Sequence, residues 1–343
     1  MQLVKHGFID IENSDLKNLN ILFGGRGLGK TYSVLKHRIE DALEDNYDMH
    51  KFIWMRDSQE VCNKIAAGRS LASPICQNEP EIPEITIEKS EGNYCFIANP
   101  KSDNYRVLGY LMALSTFHNA RGISYDDVVN ITWDEFIPEE GTLVKKHQGT
   151  IFLNAYETVN RNRELDGIDP VKIIFLSNTN DIYSDVLEDL KVSTLIEDMV
   201  YNNETVYRDE DIWIEFLSSE AFYEKKKDTF IYRITNNEKF KDMALNNKFN
   251  NNLALVRRNV NLKKSEGLFT VAGKYTCMEL SDHSIYFKLA SWKGLPNYDM
   301  DNDQEAKLFR ILFYDKLRIY YLSGSMYFDS IYTQRKILEY AKI

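Results

Sequence analysis

The sequence predicts an α/β protein in which a parallel sheet flanked by helices is followed by a smaller α+β region. A glycine-rich turn near residue 25 joins an apolar strand to a helix, and apolar runs of strand length recur near residues 130 and 175. Alternating segments begin after residue 229. The chain of 343 residues suggests two domains, at 1–197 and 229–343, with a linker subdomain at 198–228.

The glycine-rich turn has the sequence Gly24-Gly25-Arg26-Gly27-Leu28-Gly29-Lys30-Thr31, which is a complete P-loop. We predict a strand over 19–23 before it and a helix over 31–43 after it. In this setting the backbone N–H groups wrap phosphates, and the helix N-terminus adds its partial positive charge. We therefore expect Lys30 to reach the β- and γ-phosphates of ATP and Thr31 to bind Mg²⁺.

A second motif is an apolar strand, residues 128–133, that ends in Asp134 and Glu135. A strand with an acidic turn is common, but the P-loop about a hundred residues earlier favours a Walker B motif. Asp134 would hold Mg²⁺, directly or through water, and Glu135 would orient the water that attacks the γ-phosphate. The adjacent glutamate indicates the ASCE branch of P-loop ATPases, whose members do mechanical work.

Two further predicted strands end in polar residues. Residues 171–176 lead to Asn178, which either senses the γ-phosphate or belongs to an ordinary strand-end turn. Residues 51–55 lead to Arg56, which either points at a phosphate or caps the sheet. The sequence leaves both pairs of alternatives open.

A predicted helix over 149–163 carries Arg161 and Arg163 at its end. An arginine at the end of a helix is usually solvated. In a ring ATPase it can instead enter the neighbouring subunit's site and stabilise transition-state charge. Spacing alone does not choose between these interpretations.

Composition limits the possible partners. The formal net charge is −10, whereas proteins that coat nucleic acid usually have a basic excess, so nucleic-acid contacts should be local. The four cysteines have no C-x-x-C spacing, which predicts reduced thiols in a cytosolic protein and no zinc site. Neither a long apolar run nor a signal-peptide core is present, so we expect no membrane span.

Taken together, the motifs resemble those of the DNA-packaging ATPases of phi29-like phages, small relatives of the large terminases. The order and spacing agree over roughly residues 15–180, and the matching segments are 22–32, 133–137, 161–164 and 176–178. The resemblance implies a homomeric ring, five-membered in the family, acting in the host cytoplasm during phage assembly. Such a ring sits on the portal of an empty capsid, pumps double-stranded DNA inward with ATP, and in some members docks on a structural RNA.

The resemblance also implies roles for individual residues. Arg161 would be the finger that acts on the neighbouring subunit, with Arg163 as the fallback. Arg26 matches a functional basic residue within this loop of large terminases, and Arg121 matches another basic group when a gap is allowed. The loop 138–147 would face the central pore.

In that loop Lys145 and Lys146 are candidates for contact with DNA phosphates, in a sequence-independent manner. A solvated loop with incidental lysines is the alternative.

The C-terminal region has its own predicted elements. The expected strands are 230–234, 267–278 and 284–291, with a hairpin turn within 278–284, and the expected helices are 304–321 and 330–342. The charged run 224–228 is expected to be a solvated hinge boundary. The densest basic stretch, a candidate contact for nucleic acid or the portal, comprises Arg257, Arg258, Lys263 and Lys264.

In large terminases the equivalent domain is a nuclease of RNase H fold, whose chemistry needs two or three carboxylates that clamp two metals. The available carboxylates here are Glu279, Asp282, Asp299, Asp301 and Asp303. They show no clear pairing on adjacent strands. We therefore expect an RNase H-like domain that is a vestigial nuclease.

Two alternatives to a packaging motor remain. Another P-loop, nucleic-acid-dependent ATPase such as a helicase should have strand-separating aromatic and basic motifs after Walker B, and none is recognisable. A non-motor nucleotide-binding scaffold would have no need of Glu135.

Overall fold

The computed structural model describes residues 7–44, 50–68, 71–90, 92–120, 124–138, 147–178, 182–236 and 253–343. The chain divides into two compact units. The N-terminal unit comprises Met1–Leu190 and Asp198–Asn250, and the C-terminal unit comprises Lys191–Glu197 and Asn251–Ile343.

The described strands of the N-terminal unit form one mixed sheet. They are β1 (Leu19–Gly24), β2 (Lys51–Arg56), β3 (Ile85–Ser90), β4 (Asn93–Ala98), β5 (Arg106–Ala113), β6 (Val128–Asp134), β7 (Lys172–Ser177), β8 (Val206–Arg208) and β9 (Ile212–Leu217). Their order is β3-β4-β5-β2-β6-β7-β1-β9-β8. The stretch from β5 to β9 is parallel, and the strands outside it are antiparallel.

Helices connect these strands. They are α1 (Lys30–Leu43), α2 (Gln59–Ala67), α3 (Ser73–Asn78), α4 (Gln148–Asn160), α5 (Asp185–Asp189), α6 (Ser193–Asn202), α7 (Glu220–Lys226) and α8 (Phe230–Ile234). Parallel strands covered on both faces carry nearly continuous apolar runs. Strand β1 fits this rule, because Ile21, Leu22 and Phe23 are all fully buried.

The register of the parallel strands aligns their carboxyl ends. Leu176 of β7 lies opposite Leu22 of β1 on one side and opposite Asp134 of β6 on the other. On the next strand, Met55 of β2 lies opposite Trp133. The P-loop and the paired acids therefore meet at one edge of the sheet, with β7 between their two strands.

An aromatic cluster fixes the turn after β6. Trp133 stacks on Phe152 at 5.5 Å between ring centroids, and Phe136 stacks on Phe175 at 4.9 Å. The backbone of Glu135, between these anchors, has a φ of 57°, a left-handed conformation that costs roughly 1–3 kcal/mol for a residue with a side chain. Burial of the two flanking rings offsets that strain and turns Glu135 outward.

The C-terminal unit is built on a second sheet. Its strands are β10 (Glu266–Val271), β11 (Tyr275–Glu279), β12 (Ile285–Leu289), β13 (Asn297–Tyr298) and β14 (Met326–Phe328), in the order β13-β10-β11-β12-β14. The central three strands form an antiparallel meander, and each edge strand is parallel to its neighbour. Helices α9 (Asp303–Leu322) and α10 (Ile331–Ala341) belong to the same unit.

The predicted helices at 31–43, 304–321 and 330–342 and the hairpin between β11 and β12 are confirmed to within two residues. The strand predicted at 230–234 is wrong, because this segment is the helix α8. Its apolar residues suggested a strand, yet only Tyr232 is buried, while Phe230, Ile231 and Ile234 are exposed.

The expected linker at 198–228 also differs from the structure. Strand β9 within it pairs in parallel with β1 and so belongs to the main sheet. The segment Ile212–Leu217 is apolar except at Glu215 and is buried at four of its six positions, as a strand inside a covered sheet requires. Within the described ranges, no helix has both the length and the apolar character that crossing a membrane requires.

We predict that Phe136→Ala lowers the free energy of unfolding by about 3–5 kcal/mol, because the lost ring leaves a cavity in the aromatic cluster. Denaturant unfolding followed by circular dichroism measures the change. The control is Phe230→Ala, which removes a ring that is 67% exposed and should change stability by less than about 0.5 kcal/mol. Equal losses in the two variants would show that the cluster does not stabilise the turn.

Candidate functional site

A cavity of about 580 Å³ opens at the carboxyl edge of the main sheet. This volume is within the usual range for small-molecule sites. It is lined by Phe8, Arg26, Gly27, Leu28, Gly29, Lys30, Thr31, Tyr32, Pro74, Asn78, Asp134, Glu135, Leu176, Ser177 and Asn178. The lining therefore includes most of the P-loop, both acids after β6 and the amide after β7.

Lys30 begins α1 and its side chain is turned back under the P-loop. Its Nζ donates to the carbonyl oxygens of Gly24 at 2.6 Å and Gly25 at 3.1 Å, and lies 3.4 Å from Oδ1 of Asn178. Only 7% of the residue is exposed. Burial lowers the pKa of Lys30 to about 8, although Asp134 opposes the shift. A buried cation with neutral hydrogen-bond partners favours binding of an anion.

Gly29 explains why the P-loop needs glycine at this position. Its φ is 99°, a conformation that side chains rarely adopt. A Cβ there would lie 3.0 Å from the Cβ of Phe8. The loop therefore closes against Phe8.

Thr31 and Asp134 lie together at the floor of the cavity. The Thr31 hydroxyl donates to Oδ1 of Asp134 at 3.2 Å. Asp134 is buried, which raises the pKa of its carboxyl group, and the guanidinium of Arg56 opposes that rise. A hydroxyl and a carboxylate side by side are the oxygen ligands that Mg²⁺ prefers when phosphates complete its shell.

Arg56, at the end of β2, bridges the two acids. Its Nη1 donates to Oδ2 of Asp134 at 2.7 Å, and its Nη2 donates to Oε2 of Glu135. Of the two roles that the sequence left open for Arg56, capping of the sheet agrees better with this geometry, because the side chain links the end of β2 to the end of β6. Sequence reasoning missed this role because only the register of the two strands brings the arginine to the acids.

Glu135 and Asn178 complete the described part of the site. The side chain of Glu135 is 53% exposed and lines the cavity beside Asp134. Asn178 follows β7, lines the cavity and has its Oδ1 3.4 Å from Nζ of Lys30. The structure therefore brings together the predicted residues Lys30, Thr31, Asp134, Glu135 and Asn178.

The remaining P-loop residues differ in their exposure to solvent. Gly24, Gly25 and Leu28 are buried, and Arg26 and Gly27 are exposed at the mouth of the cavity. Arg26 thus lies beside the cavity.

Arg161 and Arg163 lie at the opposite edge of the sheet. Arg161 follows α4 with a φ of 47°, and its Nη1 lies 3.8 Å from Oδ1 of Asp126. Arg163 donates from Nη2 to the carbonyl oxygens of Asp126 at 2.6 Å and Val128 at 2.7 Å. Val128 and Asp134 are the two ends of β6, which at about 3.3 Å per residue are about 20 Å apart. Neither arginine can therefore reach the cavity of its own chain.

Three predicted basic residues, Arg121, Lys145 and Lys146, lie outside the described residues. The basic stretch of the C-terminal unit is not a single cluster. Arg257 stacks on Tyr327 and Arg258 lies 3.5 Å from Glu197, while Lys263 and Lys264 are exposed.

The C-terminal carboxylates make local contacts. Glu279 pairs with His283 at 2.9 Å, and Asp282 accepts hydrogen bonds from Ser284 in the hairpin turn. Asp299 accepts from the N–H of Asp301 at 2.9 Å. Asp303 lies in the first turn of α9. In the part of the chain that the structure describes, no three His, Cys, Asp or Glu side chains are grouped to hold a metal ion.

Comparison with known proteins identifies the family. Residues 11–289 match the model of the Podovirus DNA encapsidation protein (Gp16). The chain belongs to this family. It is 25% identical over 234 residues to the DNA packaging protein of Bacillus phage B103 and 25% identical over 232 residues to that of Bacillus phage phi29. These alignments cover 68% and 67% of this chain.

The aligned region spans 64% and 62% of the lengths of these two relatives. Among solved structures, the chain is similar to one of the bacteriophage Phi-29 viral genome packaging motor assembly, with a TM-score of 0.63 and 18% identity. It is also similar to the Phi-28 gp11 DNA packaging motor, with a TM-score of 0.62 and 15% identity. The matches cover 94% and 95% of this chain and 94% of each other chain, and show that the fold extends over both units.

We predict that Arg56→Met lowers the free energy of unfolding by about 3 kcal/mol, because it leaves the buried carboxylate of Asp134 without its cation. The control, Lys64→Met, removes an exposed ion pair with Glu60 and should leave stability unchanged. Chemical denaturation of both variants at neutral pH measures the difference. A loss below about 1 kcal/mol for Arg56→Met would show that the ion pair does not hold the site together.

Proposed function

We propose that the protein is the ATPase of a phage DNA-packaging motor, which translocates double-stranded DNA into a preformed capsid. The observation that carries the proposal is the meeting of the P-loop lysine, the paired acids and Asn178 around one cavity. Membership of the DNA encapsidation family and the names of the two Bacillus phage relatives support the substrate and the process.

The residues of the cavity fit ATP and Mg²⁺. Lys30 is a buried cation at the base of a glycine-lined loop, which suits a phosphate chain. Thr31 and Asp134 offer a hydroxyl and a carboxylate in contact, which suits Mg²⁺. When bound, ATP supplies the phosphoryl group that is transferred to water, and Mg²⁺ neutralises charge on the phosphates.

Side chains of the protein supply the other roles in hydrolysis. Glu135 is exposed to the cavity and has a carboxylate that can orient and polarise a water molecule. Asn178 lies between the base of the P-loop and the acids and is positioned to distinguish ATP from ADP. Arg56 holds both acids at the edge of the sheet and thereby sets the direction from which Glu135 faces the cavity.

Arg161 acts on a neighbouring subunit in this proposal. It lies near Asp126 at the amino end of β6, and Asp134 is at the other end of that strand, about 20 Å away, so a contribution to catalysis requires a second copy. Its left-handed backbone indicates a conformation that costs energy and is held by its surroundings, a feature that is frequent at functional sites. Arg163, whose guanidinium is hydrogen-bonded to two backbone carbonyls, is the fallback. A homomeric ring, pentameric as in the phi29-like motors that the chain resembles, would bring Arg161 of one subunit to the cavity of the next.

DNA contacts are proposed to be few and local, since the chain has a net charge of −10. Lys145 and Lys146 remain the candidates for the pore, and the portal of the capsid and a structural RNA remain candidate partners. The C-terminal unit is proposed to be an RNase H-like domain without nuclease activity. Its meander flanked by parallel edge strands supports the fold, and the use of Glu279 and Asp282 in local contacts supports the loss of activity.

Double-stranded DNA should stimulate ATP hydrolysis by the purified protein, and plasmid DNA should remain uncut in Mg²⁺ or Mn²⁺. Glu135→Gln should lower turnover at least about a hundredfold and leave the Kd for ATP within about threefold, because the amide cannot take the proton from water. The measurements are phosphate release, equilibrium binding and gel electrophoresis. Hydrolysis that persists in this variant would remove Glu135 from the mechanism, and cutting of the plasmid would refute a vestigial nuclease.

Mixing two inactive variants tests the role of Arg161. Subunits with Arg161→Ala supply intact acids, and subunits with Glu135→Gln supply intact fingers. If Arg161 acts across the interface, mixed rings should regain DNA-stimulated turnover that neither variant shows alone. Mixing Glu135→Gln with Lys30→Ala is the control, because both changes fall on the same cavity, so every cavity in the mixture carries one defect and no complete site can form. Absence of rescue in the first mixture would contradict a trans-acting finger.

A further inference from the structure

The chain returns to the P-loop after its last strand in the main sheet. Strand β9 runs parallel to β1, with Leu217 opposite Gly24, so β9 ends level with the start of the P-loop. Helix α7 begins immediately afterwards, and Ser219 caps it by accepting from the N–H of Phe222 at 3.2 Å. The topology therefore carries α7, with its lysine run, alongside the nucleotide site.

Lys226, the last residue of α7, contacts the P-loop directly. Its Nζ donates a hydrogen bond to the carbonyl oxygen of Arg26. The same ammonium lies 4.9 Å from the ring centroid of Phe222 and 5.4 Å from that of Tyr232. A Cβ built on Gly27 would lie 3.7 Å from this Nζ. The lysine is therefore held between two aromatic rings and the backbone of the loop.

This hydrogen bond fixes the orientation of one peptide unit. The peptide between Arg26 and Gly27 is planar and trans, so its C=O and N–H groups point in opposite directions. Because Lys226 holds the carbonyl oxygen of Arg26, the N–H of Gly27 is on the side of the peptide away from Lys226. Gly27 is among the residues that line the cavity and Lys226 is not, so this N–H is available to a group bound in the cavity.

The charge of Lys226 also affects the pKa of Lys30 at the base of the cavity. Burial lowers the pKa of Lys226, and Arg26 lowers it further. Lys226 in turn contributes to the lowered pKa of Lys30. The two lysines and Arg26 thus surround the loop with positive charge, and the binding of an anion relieves their mutual repulsion.

The segment that carries Lys226 is anchored independently of this contact. Ser219 donates from its hydroxyl to the carbonyl oxygen of Gly7 at 2.5 Å. The ring of Phe222 lies 5.6 Å from that of Phe8, which lines the cavity. Lys226 therefore approaches the loop from a packed helix.

We propose that Lys226 is a positioning residue of the nucleotide site, which holds the Arg26–Gly27 peptide in the orientation that presents an N–H group to the phosphates of the nucleotide. The inference rests on the proposed function. It assigns a role to a charged run whose composition suggested only a solvated hinge, and it links the segment after β9 to occupancy of the P-loop.

The test compares Lys226→Met with Lys225→Met in the full chain. Both variants lose one charge from adjacent positions, but Lys225 is exposed. The probe is a fluorescent, non-hydrolysable ATP analogue with Mg²⁺. We expect Lys226→Met to weaken binding about tenfold, as the loss of a charge-assisted hydrogen bond predicts. Lys226→Arg should restore binding to within about threefold, and Lys225→Met should match the wild type.

Turnover at saturating ATP separates positioning from a catalytic role. Lys226→Met should raise the KM about tenfold and change kcat by less than about twofold, because the contacts described for Lys226 are with Arg26, Phe222 and Tyr232 and not with Glu135. Unchanged affinity in Lys226→Met, or equal losses in Lys225→Met, would overturn the inference. A matching loss in Lys226→Arg would overturn it as well. Failure of the wild-type protein to bind the analogue would refute the proposed function itself.

Discussion

The site is organised around a buried cation. Lys30 is almost completely removed from solvent and its described hydrogen bonds go to neutral oxygens, so its charge is a cost to the free protein. The lowering of the pKa of Lys30 to about 8 reflects this unfavourable burial of charge. The acids that could neutralise Lys30 are instead engaged by Arg56, which leaves the loop side of the cavity positive. Because Lys30 has no close carboxylate partner in the described part of the chain, a bound phosphate chain gains a favourable interaction with its charge. The strands around the cavity must therefore keep Lys30 apart from the acids that Arg56 binds.

The parallel sheet maintains that separation. Because β1, β7, β6 and β2 are adjacent and in register, their last residues project from one edge, one strand spacing of about 4.8 Å apart. Side chains from alternate strands can then meet without long loops. The aromatic cluster around Phe136 also helps to position the acids, because it makes the chain turn directly after Asp134 and keeps Glu135 at the cavity. Packing energy in the core therefore determines the geometry of the chemical groups.

The sequence predicted those parts of the site that are local. The P-loop and the acids after β6 are contiguous motifs whose strand and helix context is visible in the residues themselves. The partner of Arg56 was not predictable, because it depends on the register between β2 and β6. Composition alone indicates that Lys226 belongs to a solvated charged run, because it does not reveal that β9 returns the chain to the P-loop. The error at 230–234 has a different cause: β-branched and aromatic residues favour a strand, but an exposed segment after a tight turn satisfied its backbone as a short helix.

The two edges of the main sheet have different chemistry, and this difference bears on how copies of the proposed motor would cooperate. The carboxyl edge carries the cavity, and the amino edge carries Arg161, held near Asp126 beside the start of β6. Helix α4 connects these edges, because it begins with Gln148, which donates to Asp57 at 2.6 Å next to Arg56, and ends at Asn160, which accepts from the N–H of Val171 at 2.8 Å. A rigid helix anchored at both ends provides a physical path by which a contact at the amino edge could alter the strand end that carries Arg56. In the proposed ring, in which Arg161 of one subunit acts on the cavity of the next, the same helix would relate the state of one site to that of its neighbour.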